Sequence, residues 1–317
     1  MNPLFNDNKL KLGLFATNVG HGGAITTAEG PLEVTWDNVK RIAVMADRAG
    51  LEALVPVARW KGFGGATDFN AESFETYTWA AGLSEATEHI CVLSTSHVPT
   101  VHPILAAKQA TTIDHISHGR FSLNVVCGWF QPELEMFGAP IMPHAERYAY
   151  AGEWLEVVRK LWTAEEEFDF DGRFFHIRKG FHQPKPIQKP FPPIMSAGGS
   201  TIGQRFAAKE ADMQFVVFSS HAFDDCKAQV DAVRTLARDE FQRRIEVWSY
   251  CYVVCRPTMK EAQDYLDYYV VEKGDWEAVE TLTRVMGLTA QTIPPEAMEA
   301  MKYHFIAGWG GYPLVGT

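Results

Sequence analysis

The stretch GRFSLNVVCGW, residues 119–129, is a run of β-forming residues with an amide in its middle. Phe121, Leu123 and Val125 belong to a run with no clean polar alternation, which is typical of a parallel strand covered on both faces. Asn124 lies inside this run, and a buried amide group without hydrogen-bond partners costs about 1–3 kcal/mol. The stretch therefore predicts a covered parallel strand that carries a polar group for a specific purpose.

Strand and helix patterns alternate on both sides of this stretch, and such repeated units imply right-handed parallel crossovers. We predict an α/β fold, a TIM (β/α)8 barrel, as a single domain over residues 1–317 with insertions near residues 166–190 and 255–303. Within the first insertion, a hairpin is expected around Asp171-Gly172. The strand candidates are residues 12–17, 51–57, 90–95, 119–129, 193–197, 213–219 and 245–254. The helix candidates are residues 37–49, 72–87, 103–116, 147–162, 224–238, 260–270 and 276–286.

Seven strands leave a barrel with an open seam. The final residues 308–317, GWGGYPLVGT, are expected to form a glycine-rich loop, so the pattern favours a last strand–helix unit beyond residue 317. The alternative is a doubly wound open sheet, but no G-x-G-x-x-G sequence follows any strand candidate, so its dinucleotide-binding fingerprint is missing. Cys251 and Cys255 are expected to be buried within one strand.

The charge and the composition of the chain exclude several classes of partner. A net charge of −10 and a pI near 5.6 argue against nucleic acid and against an anionic membrane surface. No apolar run reaches the roughly 18 residues that a membrane span needs. The N-terminus lacks the plan of a signal peptide, and the 5 cysteines contain no CxxC pair, so we expect a cytoplasmic, reduced protein. The 11 histidines do not fall into ligand pairs, and no metal site is expected.

Ligands of parallel α/β folds gather where the strands end. The fifth strand candidate ends in Gly198-Gly199-Ser200, directly before a predicted helix. The glycines let the backbone approach an anion, and the helix N-terminus adds free N–H groups. Ser200 is thus a candidate phosphate ligand, although an ordinary N-cap serine would give the same pattern.

Four sequence blocks resemble the bacterial-luciferase-like, flavin-dependent monooxygenases. They are ARWKGFGG at 58–65, PTVHPILAAKQATTIDHISHGRFSLNVVCGW at 99–129, the Arg147-Tyr148 pair and GGS at 198–200. The nearest subgroup contains the pyrimidine, dimethyl sulfone and alkanesulfonate monooxygenases. This resemblance implies reduced FMN (FMNH2) as cofactor, O2 as oxidant, a separate NAD(P)H:flavin reductase as partner, a small-molecule substrate and a homodimer or homotetramer.

The resemblance also implies roles for individual residues. Asn124 would bond the polar edge of the flavin, because an amide offers both a donor and an acceptor. The catalytic candidates are Arg59, Thr95, His97 and Asn124. The cofactor-binding candidates are Ala58, Arg59, Asn124, Glu133, Arg147, Tyr148, Gly198, Gly199 and Ser200. The substrate-binding candidates are Trp60, Phe63, His97 and Trp129. A non-proline cis peptide bond is expected near residues 94–98.

The sequence does not decide between two classes of substrate. One class is nitrogen heterocycles, such as pyrimidines, and the other is small organosulfur compounds, such as sulfones or sulfonates. Two other functions compete with oxygenation. One is a deazaflavin-dependent oxidoreductase on the same barrel, which should need a broad basic groove. The other is a non-catalytic flavin-binding paralogue.

Overall fold

Seven parallel strands form one curled sheet in this computed structural model, which describes residues 2–139, 142–288 and 295–317. The strands of the chain are β1 (Gly13–Phe15), β2 (Ala53–Val55), β3 (Cys91–His97), β4 (Phe121–Val126), β5 (Phe168–Asp171), β6 (His176–Gly180), β7 (Ile194–Ser196), β8 (Met213–Phe215), β9 (Glu246–Trp248), β10 (Cys251–Cys255) and β11 (Tyr312–Gly316). The order in the curled sheet is β1-β2-β3-β4-β7-β8-β9, and all its neighbours are parallel. The prediction of an α/β barrel-type fold is confirmed.

Helices connect the strands of the sheet. They are α1 (Trp36–Arg48), α2 (Thr76–Ala86), α3 (Pro103–Ile116), α4 (Gln131–Met136), α5 (His144–Thr163), α6 (Thr201–Glu210), α7 (Phe223–Phe241), α8 (Met259–Asp267), α9 (Trp276–Val285) and α10 (Pro295–Gly308). Their starts follow ordinary capping chemistry. For example, the Thr35 side chain accepts a hydrogen bond from the Asn38 N–H, and the Glu75 carboxylate accepts two from the first turn of α2. In the described part of the chain, no helix is long and apolar enough to cross a membrane.

The side chains on the two faces of the curled sheet belong to two different hydrophobic clusters. Side chains such as Val92, Leu123 and Ile194 pack in one large cluster with the surrounding helices. Their neighbours along the strands form a second, inner cluster, which includes Leu93 and Met195. Since successive side chains of a strand point to opposite faces, the odd positions of β3 and the even positions of β4 face the interior. This alternation turns Thr95, His97 and Asn124 inward.

Aromatic side chains bridge the open edges of the sheet. The Phe15 ring on β1 lies 5.5 Å from the Phe215 ring and 5.6 Å from the Tyr250 ring, between ring centroids. Phe215 and Tyr250 also stack on each other at 5.3 Å. Side-chain packing therefore covers the gap between β1 and β9, which are not paired as strands in the described residues.

Three predictions about the last third of the chain were wrong. The single strand expected at 245–254 is divided into β9 and β10, because Ser249 and Tyr250 belong to neither strand. The expected terminal loop contains β11, which pairs in parallel with β10 outside the curled sheet. Cys251 and Cys255 do lie within one strand, β10, but they are exposed rather than buried.

The structure tests two other expectations, of which one is confirmed and one is wrong. The hairpin expected around Asp171-Gly172 is present, because β5 and β6 pair antiparallel with Asp171 opposite His176. The non-proline cis bond expected near 94–98 was wrong, since those peptide bonds are trans and the cis bonds of the described residues precede Pro184 and Pro190. That residues 1–317 form a single domain stays a prediction.

Candidate active site

The sheet register brings the polar residues of neighbouring strands to one rim. Thr95 on β3 pairs with Asn124 on β4, and Asn124 pairs with Met195 on β7. Ser200 follows the end of β7 by only four residues. Thr95, Asn124 and Ser200 therefore all lie toward the rim that is formed by the carboxyl ends of these strands.

Asn124 has one satisfied and one unsatisfied side-chain atom. Its Nδ2 donates to Thr95 Oγ1 at 3.1 Å, and that hydroxyl in turn donates to the Pro56 carbonyl at 2.6 Å. Its Oδ1 is buried and has no hydrogen-bond partner among the described residues. Such an orphan acceptor is costly unless a ligand or a water donates to it. The amide is thus oriented by the protein, and its oxygen has capacity for one more donor.

Five of the predicted residues line one narrow cleft at this rim: Ala58, Arg59, Trp60, Thr95 and His97. The same cleft is lined by Glu75 and Thr76 from the start of α2. Thr76 also holds this helix against β3, because its hydroxyl donates to the Thr95 carbonyl at 2.8 Å. The cleft is therefore formed by the ends of β2 and β3 and closed by α2.

Glu133 on α4 ties down the chain where it leaves β2. Its Oε1 accepts hydrogen bonds from Arg59 Nη1 at 3.2 Å, from the Trp60 N–H at 2.7 Å and from the Lys61 N–H at 3.3 Å. The side chains of Arg59 and Glu133 are only 2% and 1% exposed. This contact gives Glu133 the role of orienting its neighbours. A direct contact of Glu133 with a flavin stays a prediction.

Aromatic rings surround the Arg59 guanidinium. Its central carbon lies 5.1 Å from the centroid of Phe63, 5.2 Å from Trp129 and 5.5 Å from Phe130. Cation–π contacts of this kind become stronger when water is excluded. Phe63 and Trp129 pack on Arg59 and do not line the cleft, whereas Trp60 does and is 42% exposed. A substrate role for Phe63 and Trp129 would therefore be indirect, through Arg59.

His97 is held as a neutral ring. Burial lowers its pKa to about 3, and the nearby charge of Arg59 acts in the same direction. Its Nδ1 lies 3.5 Å from Glu133 Oε2, but the neutral ring makes this contact a polar one rather than an ion pair. His97 can therefore donate or accept a hydrogen bond in the cleft at neutral pH without carrying a charge.

A second polar cluster lies at the start of α6. The Ser200 hydroxyl is the N-cap of that helix, accepting from the Gly203 N–H at 3.1 Å, and it lies 2.9 Å from His144 Nε2. Arg147 lies 3.0 Å from His144 Nδ1 and donates to the Gly128 carbonyl at 2.6 Å. Its Nε is buried without a partner in the described part of the chain. We call His144, Arg147, Tyr148 and Ser200 the anion corner.

Tyr148 and Gly198 pack closely against the first turn of α6. A Cβ atom built on Gly203 would lie 2.5 Å from the Tyr148 hydroxyl, and one built on Gly198 would lie 2.7 Å from the Gly203 Cα. Gly198 is thus required by backbone packing, whereas a Cβ on Gly199 would meet open space. Burial raises the pKa of Tyr148, so its phenol is a neutral hydrogen-bond donor. The serine is both an N-cap and part of a polar corner, so the two interpretations of the GGS motif are compatible.

His144 and Glu75 were missed as site residues in the sequence. His144 shares a helix face with Arg147 and Tyr148, because residues three and four positions apart are neighbours on a helix. That spacing was a usable signal. Glu75 carried no such signal, since its place beside the cleft follows from the packing of α2 on β3.

A larger cavity, of about 440 Å³, shares no lining residue with this cleft. It is open to solvent on one side and is lined by the loop after β1, by α1 and by three tyrosines, Tyr252, Tyr265 and Tyr269. None of the predicted site residues lines it. Among the described residues, no group of three or more His, Cys, Asp or Glu side chains could hold a metal ion.

Comparison with known proteins identifies the family. The profile of the luciferase-like monooxygenases matches residues 10–303. The chain belongs to this family. An FMNH(2)-dependent dimethylsulfone monooxygenase of Pseudomonas putida is 30% identical over 270 residues, which cover 85% of this chain and 72% of that protein. A pyrimidine monooxygenase RutA of Bradyrhizobium sp. is 35% identical over 214 residues, which cover 66% of this chain and 58% of that protein.

Comparison with solved structures shows which proteins share this fold. A riboflavin lyase (RcaE) structure with modified FMN and riboflavin has a TM-score of 0.85 at 20% identity, covering 98% of this chain and 82% of the other. DmoA from Hyphomicrobium sulfonivorans has a TM-score of 0.81 at 20% identity, covering 97% and 78%. The resemblance of this luciferase-like chain to the subgroup of dimethyl sulfone and pyrimidine monooxygenases is confirmed.

The neutral state of His97 predicts a dependence of stability on pH. The unfolded chain takes up a proton near pH 6.5, whereas the folded chain does so only near pH 3. The unfolding free energy should therefore fall as the pH is lowered from about 6.5, by at most about 1.4 kcal/mol per pH unit from this group. In His97→Gln, the unfolding free energy measured with urea should depend less steeply on pH between pH 7 and pH 5, by up to that amount per pH unit. The exposed His89 provides the control variant His89→Gln, and an unchanged slope in His97→Gln would contradict the buried neutral ring.

Proposed function

We propose that this chain is a two-component monooxygenase, which takes reduced FMN from a separate NAD(P)H:flavin reductase and transfers one oxygen atom from O2 to a small polar molecule. The observation that supports this most is the placement of Asn124 and the anion corner on one rim of the sheet. The names of the curated relatives support the same cofactor, since one is FMNH(2)-dependent. A homodimer or homotetramer stays a prediction.

The residues of the rim fit FMN by their chemistry. The orphan Oδ1 of Asn124 can accept a hydrogen bond from an N–H of the ring, and its amide is oriented by Thr95, which lines the cleft. The orphan Nε of Arg147, the Ser200 hydroxyl and the N-terminus of the ten-residue helix α6 can receive a phosphate group. Gly198 lets this turn pack against the start of α6, Gly199 leaves the backbone of the turn accessible, and Ala58 lines the cleft, where it would border the flavin.

When bound, reduced FMN supplies two electrons, so that one oxygen atom of O2 enters the substrate and the other leaves as water. The protein binds and orients the reactants and excludes water. Arg59 is held by Glu133 beside the cleft, and Phe63, Trp129 and Phe130 keep bulk water from its guanidinium. Thr95 and His97 offer uncharged hydrogen-bonding groups from the inner face of β3. We assign substrate positioning to Arg59, Thr95 and His97, with Trp60 at the exposed side of the cleft.

Substrates of two classes agree with this site: nitrogen heterocycles such as pyrimidines, and small organosulfur compounds. The two curated relatives named above carry one class each in their names.

Turnover with isotopically labelled O2 tests the proposed activity. The assay contains the chain, a flavin reductase, NADH, FMN and a panel of sulfones, sulfonates, pyrimidines and pyridines. We expect one labelled oxygen atom in the product, with turnover that depends on both FMN and O2. Turnover with a reduced deazaflavin and without O2 would instead support hydride transfer, and no binding of either flavin at micromolar concentration would contradict every flavin role proposed for these residues.

Ser200→Ala tests the anion corner. Loss of one hydrogen bond to a charged phosphate should weaken binding of reduced FMN by about 10-fold, measured anaerobically by tryptophan fluorescence quenching. Riboflavin, which lacks the phosphate, should bind the variant and the parent equally. Thr258→Ala is the matched control, because Thr258 caps α8 in the same way, and each variant should lose about 1 kcal/mol of stability. An equal loss of FMN affinity in both variants would remove Ser200 from the phosphate site.

A further inference from the structure

The positive charge at the cleft is balanced within the protein by a carboxylate. Arg59 is the cation that lines the cleft, and its side chain is almost completely buried. A buried guanidinium needs a counter-charge, and Glu133 supplies it at 3.2 Å. Arg59 stays charged, but the pair as a whole presents a dipole rather than a free positive charge to the cleft.

Glu133 cannot easily release Arg59 to a ligand. The same carboxylate oxygen also accepts the backbone N–H groups of Trp60 and Lys61, so it is held by three donors. An anionic ligand that took over the guanidinium would leave this carboxylate buried without its counter-charge. The cost of such an unpaired buried charge is several kcal/mol.

The other charged or titratable side chains of the cleft add no positive charge. Glu75 contributes a carboxylate that accepts from the Tyr77 N–H at 2.9 Å and the Thr78 N–H at 2.7 Å. His97 and Tyr77 are the remaining titratable rings of the cleft. Deep burial beside a cation keeps His97 uncharged, and burial raises the pKa of the Tyr77 phenol, so it is neutral as well. Arg59, Glu133 and Glu75 together therefore carry a net charge of −1 around the cleft.

Hydrogen-bonding capacity is nevertheless left over. Arg59 Nε and Glu133 Oε2 are both buried and have no hydrogen-bond partner among the described residues. An N–H of this kind is satisfied by an acceptor oxygen, and a carbonyl or sulfonyl oxygen brings no charge with it. A neutral ligand gains that hydrogen bond without disturbing the Arg59–Glu133 pair.

We infer that the cleft selects an uncharged substrate with an acceptor oxygen, such as a sulfone or a cyclic amide, and rejects anions such as sulfonates and carboxylates. This inference rests on the proposed function, because it places the substrate beside Arg59. It narrows the two substrate classes by charge, and within the organosulfur class it separates sulfones from sulfonates.

Matched pairs of ligands test the inference. Dimethyl sulfone and methanesulfonate differ mainly by a methyl group in place of a charged oxygen, and uracil and 6-carboxyuracil differ by a carboxylate. Binding to the chain loaded with reduced FMN is measured anaerobically by calorimetry. At least one neutral member should bind about 100-fold more tightly than its anionic partner. Equal or tighter binding of the anions, or no binding of any of the four, would overturn the inference. The proposed function fails separately, if reduced FMN itself does not bind.

Glu133→Gln tests the physical cause. Without the carboxylate, the charge of Arg59 is free to attract an anion, so the preference for the neutral member of a pair should fall by about 10-fold or more. Glu135→Gln is the matched control, because Glu135 is an exposed carboxylate on the same short helix and should leave the preference unchanged. An unchanged preference in a folded Glu133→Gln would contradict charge cancellation as the cause. The comparison of ligands in the parent chain stands even where this variant does not fold.

Discussion

The buried carboxylate of Glu133 is the interaction on which the candidate site depends. It connects α4 to the exit of β2 through three hydrogen bonds, across 72 to 74 positions of sequence. Because a buried carboxylate must keep its donors, the path of the chain after β2 is restricted to one that returns Trp60 and Lys61 to it. The position of Arg59, and with it the shape of the cleft, follows from this restriction.

The rim has two ends of different electrostatic character. At the cleft, the Arg59–Glu133 pair is compensated internally and His97 is neutral. At the anion corner, Arg147 combines with the N-terminus of α6, and no carboxylate is paired with Arg147 among the described residues. A mononucleotide has the same asymmetry, with an uncharged ring at one end and a phosphate at the other. The parallel register from β3 to β7 is what places both ends on the same side of the sheet.

Much of the sheet could be predicted because most of its strands are apolar runs that alternate with helix patterns along the chain. The helix after His102-Pro103 was predicted with its observed bounds, since proline and a cap mark its start. The division of 245–254 could not be predicted, because Tyr250 leaves the strand to stack on Phe15 and Phe215, which are distant in sequence. Likewise, β11 is a strand only because β10 is available to pair with it.

Local sequence patterns likewise pointed to some residues of the candidate site and not to the contacts of others. Ser200 and Asn124 were predicted because a helix start and an amide within an apolar strand are local signals. The contacts of Glu133 and the neutral state of His97 depend on burial and on distant partners, which local patterns do not contain. Phe63 and Trp129 carry the expected aromatic character, yet they pack on Arg59 and do not line the cleft.

The most direct measurement is the position of FMN in a crystal structure of its complex with this chain. We predict that the phosphate oxygens lie within hydrogen-bonding distance of the Ser200 and Tyr148 hydroxyls, while the polar edge of the ring meets the Asn124 amide. A flavin bound instead in the cavity formed by Tyr252, Tyr265 and Tyr269, or one with its phosphate away from Ser200, would contradict the site described for this chain.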